Sequence, residues 1–366
     1  MTFPRYEYKQ TGVPTTKARL PFSDVEVSLP KLDLDRPCSA AENLKRAARH
    51  DNPYWAPIGL LDLQSINPTD LLSETAKVQS SPVNVRFTDW FGADWTFVAS
   101  AGGPMLTPGT QIMADITEWE RVVKFPDLNN WDFDGQAEAF MKNSHNPERA
   151  LEIDIGLGCT ERLVSLMGGY EDALYSLVVE PEACADFFER FIDWEIAHFD
   201  KLLEHYPITM LNYHDDWGNE KDAFFSPDTL ENLLYSPTKR FFAHVRSKDV
   251  IVQHHSCGNI NRFIPHMIEL GVDFMQIQRR VVDFPKVKEQ YGGQIGFCGG
   301  IEGLDITAAP PEKEQLTEMI RHTLEVLGKN GGLYMGLFMT DEELLWNAVS
   351  EIYAYSSEMY AAERGE

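Results

Sequence analysis

An α/β fold, a (β/α)8 TIM barrel with an N-terminal extension, is the class this sequence predicts, on three observations. After residue 150, short apolar runs that end in glycine or polar residues alternate with helix-patterned segments. The alternation repeats often enough to close a barrel of parallel strands. The chain of 366 residues is also the length of one such barrel carrying an added segment, and it is long enough to bury a large core.

The elements follow in order. Residues 1–37 are polar and punctuated by proline, which predicts an extended arm over a barrel domain spanning 38–366. Ser39-Ala-Ala-Glu42 is a capping box that opens a helix through Arg49, stopping before Asn52-Pro53. "NVRFTDWFGADWTFVA" (84–99) alternates apolar and polar residues as a hairpin or two short strands do, and "AGGPMLTPG" (101–109) reads as a turn-rich loop. "LEIDIGLG" (151–158) is a strand followed by a helix beginning at "CTERLVSLMGG". Residues 180–206 form a long helix with Pro181 in its first turn. "ITMLNYHDDWG" (208–218) is strand then loop, and Ser226 caps the next helix. "KDVIVQHHSCG" (248–258) repeats the pattern ahead of a helix over 260–270. "VDFMQIQ", "QIGFCGGIE" and "GGLYMGLF" are further short strands, with helices over 312–328 and 341–362. No internal repeat of 20–50 residues is present.

Acidic residues outnumber basic ones 57 to 32, a formal net charge of −25. That balance argues against nucleic acid and anionic membrane surfaces as partners. Five scattered cysteines, Cys38, Cys159, Cys184, Cys257 and Cys298, do not make a disulfide framework and point to a reducing compartment. The first residues lack an apolar signal region and no run reaches 18 apolar residues, so a soluble cytoplasmic protein is expected.

Barrels of this kind carry chemistry at the C-terminal ends of their strands. Four such ends bear reactive residue types: Cys159, then His214-Asp215-Asp216, then His254-His255-Ser-Cys257, then Cys298. A lone buried cysteine is commonly a small hydrophobe, the simpler reading of Cys159. His255-x-Cys257 differs, because alternate residues at a strand end share a side and imidazole and thiolate are preferred zinc donors. Cys298 would raise the ligand count to three, with one position open. His254 faces the other way as a packed residue. Asp215 and Asp216 read either as proton donors or metal-supporting groups, or as helix caps and loop hydrogen-bonders. Trp90, Phe91 and Trp95 lie beside Asp89 and Asp94, and Tyr213 and Trp217 follow later. They read either as core or as a cradle for a planar organic ligand.

"DDWGNEKDAFFSPDTL", "HHSCGNINRFIPHMIELGVDFMQIQ" and "YGGQIGFCGGIEG" together resemble the uroporphyrinogen decarboxylase superfamily. The resemblance covers roughly residues 38 to 350 and implies a TIM barrel. The superfamily's true decarboxylases carry an arginine-rich segment, where this chain reads "RAARHDNPYWAPIGLLD". Its methyltransferase branch uses His-x-Cys as zinc ligands, matched here by His255 and Cys257. The thiol-methylating members add a cysteine in the last barrel strand, where this chain has "GGLYMGLF". Cys298 is then the expected third ligand, with Asp216 or Glu220 as oxygen donors. "FTDWFGADWTFVASAGGPMLTPG" followed by "DITEWERVVKFPDLNNWDFDG" resembles the subgroup that demethylates methoxylated aromatics. The implied function is zinc-dependent transfer of a methyl group from an aromatic ether to the Co(I) of a corrinoid (cobalamin) on a separate corrinoid protein. His214, Asp215 or Asp216 would supply the proton. Trp90, Phe91, Trp95, Tyr213 and Trp217 would hold the ring. The resemblance leaves three alternatives: a methylcobalamin:thiol methyltransferase, a uroporphyrinogen-type decarboxylase, and a non-catalytic tetrapyrrole- or corrinoid-binding protein.

Overall fold

The structure is a computed structural model that describes residues 2–19, 26–31, 36–66, 83–101, 103–299, 311–337 and 339–366. Its strands in chain order are β1 (Thr15–Arg19), β2 (Glu26–Pro30), β3 (Leu63–Ile66), β4 (Val85–Thr88), β5 (Asp94–Val98) and β6 (Gly103–Leu106). They continue as β7 (Ala150–Gly156), β8 (Ile208–His214), β9 (Ile251–Ser256), β10 (Phe274–Ile277), β11 (Gly296–Cys298) and β12 (Leu333–Tyr334). Seven of them, β3 and β7 to β12, belong to the barrel sheet among the described residues. Strands alternating with helices make this an α/β fold of the TIM-barrel type with an N-terminal extension. The chain divides into two compact units, a terminal one (1–64, 146–151, 273–366) and a central one (65–145, 152–272).

In the terminal unit, β10, β11 and β12 are parallel neighbours, with Phe274 opposite Gly296 and Phe297 opposite Leu333. Ile58 makes a parallel bridge to Met335. A single helical turn, Gly59–Asp62, separates that bridge from β3, so no long strand forms here. The turn is held by Asp62, whose buried carboxylate accepts from Ile58 N at 2.8 Å, Tyr353 Oη at 3.2 Å and Trp55 Nε1 at 3.3 Å. Ser39 caps the helix Ala40–Ala48 by accepting from Glu42 N at 3.1 Å, as its sequence demands. The first residues dock on the C-terminal helix Glu342–Arg364: Phe3 N donates to Ser357 Oγ, Tyr6 N to Ser350 Oγ, and Arg5 binds Glu351 and Glu358. β1 and β2 pair antiparallel.

In the central unit, β4, β5 and β6 form an antiparallel sheet. The segment 101–109, expected as loop, contributes β6. Pro104 is tolerated there because β6 is an edge strand and needs no donor on its open side. β8 and β9 run parallel in a register that sets His214 opposite His255, and β7 is the other neighbour of β8. The helices Cys159–Met167, Tyr170–Val179 and Pro181–His205 follow β7. The helix after β8 starts at Pro227–Thr229, capped by Ser226, widens into a π turn at Leu230–Leu234 and continues as Tyr235–Ser247. The wide turn comes just before Pro237, whose nitrogen has no hydrogen to close a regular turn. Phe187, Phe188, Phe191, Phe199, Phe241 and Phe242 fill the core.

Candidate metal centre and donor cleft

β9 runs through Ser256, past its apolar stretch, so His254 and His255 are strand residues with opposite facings. His254 is fully buried, its ring 4.4 Å from Trp217 and 6.0 Å from Phe242. His255 faces the strand end, where the chain turns at Gly258. Glycine is required there: its φ is +85°, and a Cβ would sit 2.3 Å from the Gly218 carbonyl carbon. That approach presses the loop after β9 onto the loop after β8, and Asn259 N donates to Asn219 O at 2.7 Å.

The close loops assemble a three-residue cluster. Asp216, His255 and Cys257 each offer a ligand atom, all within 4.8 Å of one another. Cys257 Sγ is 3.5 Å from His255 Nε2, and His255 Nε2 is 3.8 Å from Asp216 Oδ1. Asp216 Oδ1 also accepts from Cys257 N at 2.6 Å, which ties the two loops together. Burial, and then the negative charge of Asp216, pushes the Cys257 thiol up to about 12. Imidazole, thiol and carboxylate are the donors zinc takes, and an electron-rich cluster that resists losing a proton is satisfied by a cation. Were zinc held by these three side chains, one tetrahedral position would stay open, as in catalytic zinc sites.

His214 ends β8, and its ring lies 4.6 Å from that of His255 at 35°. Its Nε2 is 2.8 Å from Asn212 Nδ2 and 3.3 Å from Asp154 Oδ1. Burial raises the Asp154 carboxyl, yet hydrogen bonds to His214 and Asn212 hold it below its ordinary value. His214 also lines a cleft of about 180 Å³, together with Trp90, Trp95, Trp194, Glu161 and Glu195. Asp89 organises this wall. One of its oxygens accepts from Phe91 N and Ala93 N, and the other from Trp95 Nε1 at 3.0 Å and Arg162 Nη1 at 2.7 Å. Trp194 is anchored by donating to Pro126 O at 2.8 Å.

The expected site residues therefore separate. His255, Cys257 and Asp216 come together, His214 stands beside them, and Trp90 and Trp95 face the cleft. Cys298, expected as third ligand, belongs to the terminal unit, where it ends β11, is 6% exposed and accepts from Gln276 Nε2 at 3.4 Å. Asp215 is fully buried, accepting from Glu161 N at 3.0 Å and Trp217 Nε1 at 3.0 Å. It thereby caps the helix Cys159–Met167, whose own N-cap, Gly158, has no side chain to do so. Burial pushes its carboxyl up to about 7. Tyr213 and Trp217 are wholly enclosed, packed on Phe241 and Phe263, while Phe91 packs under the wall against Phe191 and Trp194. Sequence reasoning missed Asp154, Asn212, Glu161, Arg162, Trp194, Glu195 and His198. Asp154 carried a usable signal, a carboxylate inside an apolar strand; Glu195 and His198 sit at helical spacing on the buried face of Pro181–His205.

Comparison with known proteins agrees with the fold. The family model described as uroporphyrinogen decarboxylase (URO-D) matches residues 90–334, more than half of the chain. A methylcobamide:CoM methyltransferase MtaA of Methanosarcina barkeri is 29% identical over 76 residues, 21% of this chain and 22% of that protein. The match thus spans about a fifth of that relative's length. A solved methyltransferase from Methanosarcina mazei superposes with a TM-score of 0.60 at 15% identity, over 88% of this chain and 99% of that one.

Proposed function

Because this chain belongs to the uroporphyrinogen decarboxylase family, we propose that it works as a corrinoid-dependent methyltransferase of that family, taking a methyl group from a methoxylated aromatic donor. The observation that carries the reading is the Asp216, His255 and Cys257 cluster, set beside a tryptophan-walled cleft through His214. Zinc held by those three side chains would supply Lewis-acid polarisation of the ether oxygen.

The chain's own groups do the rest. Trp90, Trp95 and Trp194 clamp an aromatic ring, and the cleft matches one ring in size: about 180 Å³ here, where a cavity of about 150 Å³ admits benzene. That volume favours a single ring over a tetrapyrrole, as does the missing arginine-rich segment. Asp154 and Asn212 fix His214 at Nε2, which leaves Nδ1 to hand a proton to the phenolic oxygen as the carbon–oxygen bond breaks. The methyl group passes to the Co(I) of a corrinoid on a separate protein, and the products are a phenol and methyl-Co(III). The name of the Methanosarcina barkeri relative supports corrinoid-linked methyl transfer as the reaction class, while the transfer it prints runs from a methylcobamide to a thiol, the alternative that the test below separates.

The test is a panel of methoxyaromatics, tertiary amines, sulfides and thiols, each mixed with the zinc-quantified protein and cob(I)alamin or methylcobalamin. Methylcobalamin formation from methoxyaromatics is expected. Methylation of a thiol by methylcobalamin, with no response to ethers, would replace this reading.

A further inference from the structure

The cleft contains a carboxylate that the methyl-transfer chemistry leaves unused. The helix Pro181–His205 presents Trp194, Glu195 and His198 to it. Glu195 is 3% exposed and His198 2%, and Glu195 Oε2 lies 3.6 Å from His198 Nδ1, beyond hydrogen-bond length. Among the described residues, that Oε2 has no hydrogen-bond partner. The His198 ring is enclosed by Trp90, Trp131 and Trp194, at centroid distances of 5.9, 5.4 and 5.0 Å. An acceptor is therefore held in an apolar, aromatic wall, a costly arrangement unless a ligand supplies a donor. Arg162 is the one guanidinium or ammonium among the described residues lining the cleft, and Asp89 already engages it at 2.7 Å. Among the described residues lining the cleft, none offers an unengaged guanidinium or ammonium to an acidic ring, and the Glu195 carboxyl group stands in its way.

We propose that Glu195 determines donor specificity by accepting a hydrogen bond from an O–H on the ring, so that hydroxylated methoxyaromatics are preferred and carboxylated ones rejected. The inference rests on the aromatic-ether reading above and adds the group that the donor must carry. A site built to accept a hydrogen bond discriminates strongly against an analogue that lacks the donor, because the buried acceptor is then left bare.

The test compares 2-methoxyphenol, 1,2-dimethoxybenzene and 4-methoxybenzoate, which differ in the polar group and little in ring size. Binding is read by calorimetry and tryptophan quenching without corrinoid, and demethylation with cob(I)alamin in parallel. The wild-type protein should bind 2-methoxyphenol about 10- to 100-fold more tightly than 1,2-dimethoxybenzene, and 4-methoxybenzoate most weakly. Glu195→Leu should bring the first two to parity. Glu195→Gln, close to isosteric, should narrow the gap and relax the exclusion of 4-methoxybenzoate; thermal melts of both variants confirm folding. Equal affinities in the wild type, or a preference that survives both substitutions, would overturn the role of Glu195 while leaving ether demethylation standing. If no ring compound binds or donates a methyl group, the aromatic-ether reading fails and this inference falls with it.

Discussion

Cys257 is a poor ligand on its own, its thiol pushed up to about 12 by burial and by Asp216 and Glu161. A divalent cation held at the cluster would replace the proton and be favoured by the same acidic surroundings. Cys257→Ala should therefore abolish both stoichiometric zinc, measured by emission spectrometry, and methyl transfer. A variant that lacks zinc yet turns over normally would remove the metal from the mechanism. Asp216→Asn should weaken zinc binding while leaving the loop contact to Cys257 N largely intact, since the amide oxygen still accepts. Arg162 and Asp89 are a nearly enclosed ion pair, with side chains 7% and 12% exposed. Losing one partner of such a pair costs about 3–5 kcal/mol, so Arg162→Met should show a urea midpoint lowered by an amount of that order. It should also loosen Trp95, which shares the Asp89 carboxylate.

At the scale of elements, the cluster of Asp216, His255 and Cys257 depends on two loops meeting at glycine. Gly258→Ala forces a left-handed residue and a Cβ into the Gly218 backbone, so it should cost more than about 1 kcal/mol and lower zinc affinity together. A variant that kept both would show that the loop approach is not what assembles the site. The loop after Ala40–Ala48 behaves differently, as a pH-sensitive joint. Burial, and then the Lys288 charge, holds His50 down at about 4 from its ordinary 6.5. The unfolded chain then binds the proton first, so stability from this group is present above pH 6.5 and is lost as pH falls toward 4. His50→Asn suits the positive φ of 53° and should flatten the wild-type stability decline over that window in pH-dependent urea unfolding.

For the whole molecule, the strands and helices after residue 150 and the apolar faces they bury were legible from period alone, as were the Ser39 and Ser226 caps and the long helix at Pro181. The arm is a clear case of what was not. Its polar composition predicts an extended segment, but Phe3 is 5% exposed against Trp55 and Tyr353, and Arg5 bridges two glutamates of the last helix. Removing residues 2–8 exposes that aromatic contact, worth about 1.5–3 kcal/mol. The melting temperature should fall by several degrees; an unchanged melt would make the arm ornamental. The acidic charge argues against nucleic acid as a partner class without reference to structure, and no helix among the described residues is long and apolar enough to cross a membrane. What the sequence determined by itself was the strand–helix rhythm and the His255-x-Cys257 spacing at the end of β9, because alternate residues along an extended segment share a side. Only tertiary structure brought Asp216 to that pair across 41 residues, withdrew Asp215, Tyr213 and Trp217 into the interior, and set Glu195 in the cleft wall. Those outcomes depend on how separate elements pack against one another, and no period along a single element encodes that.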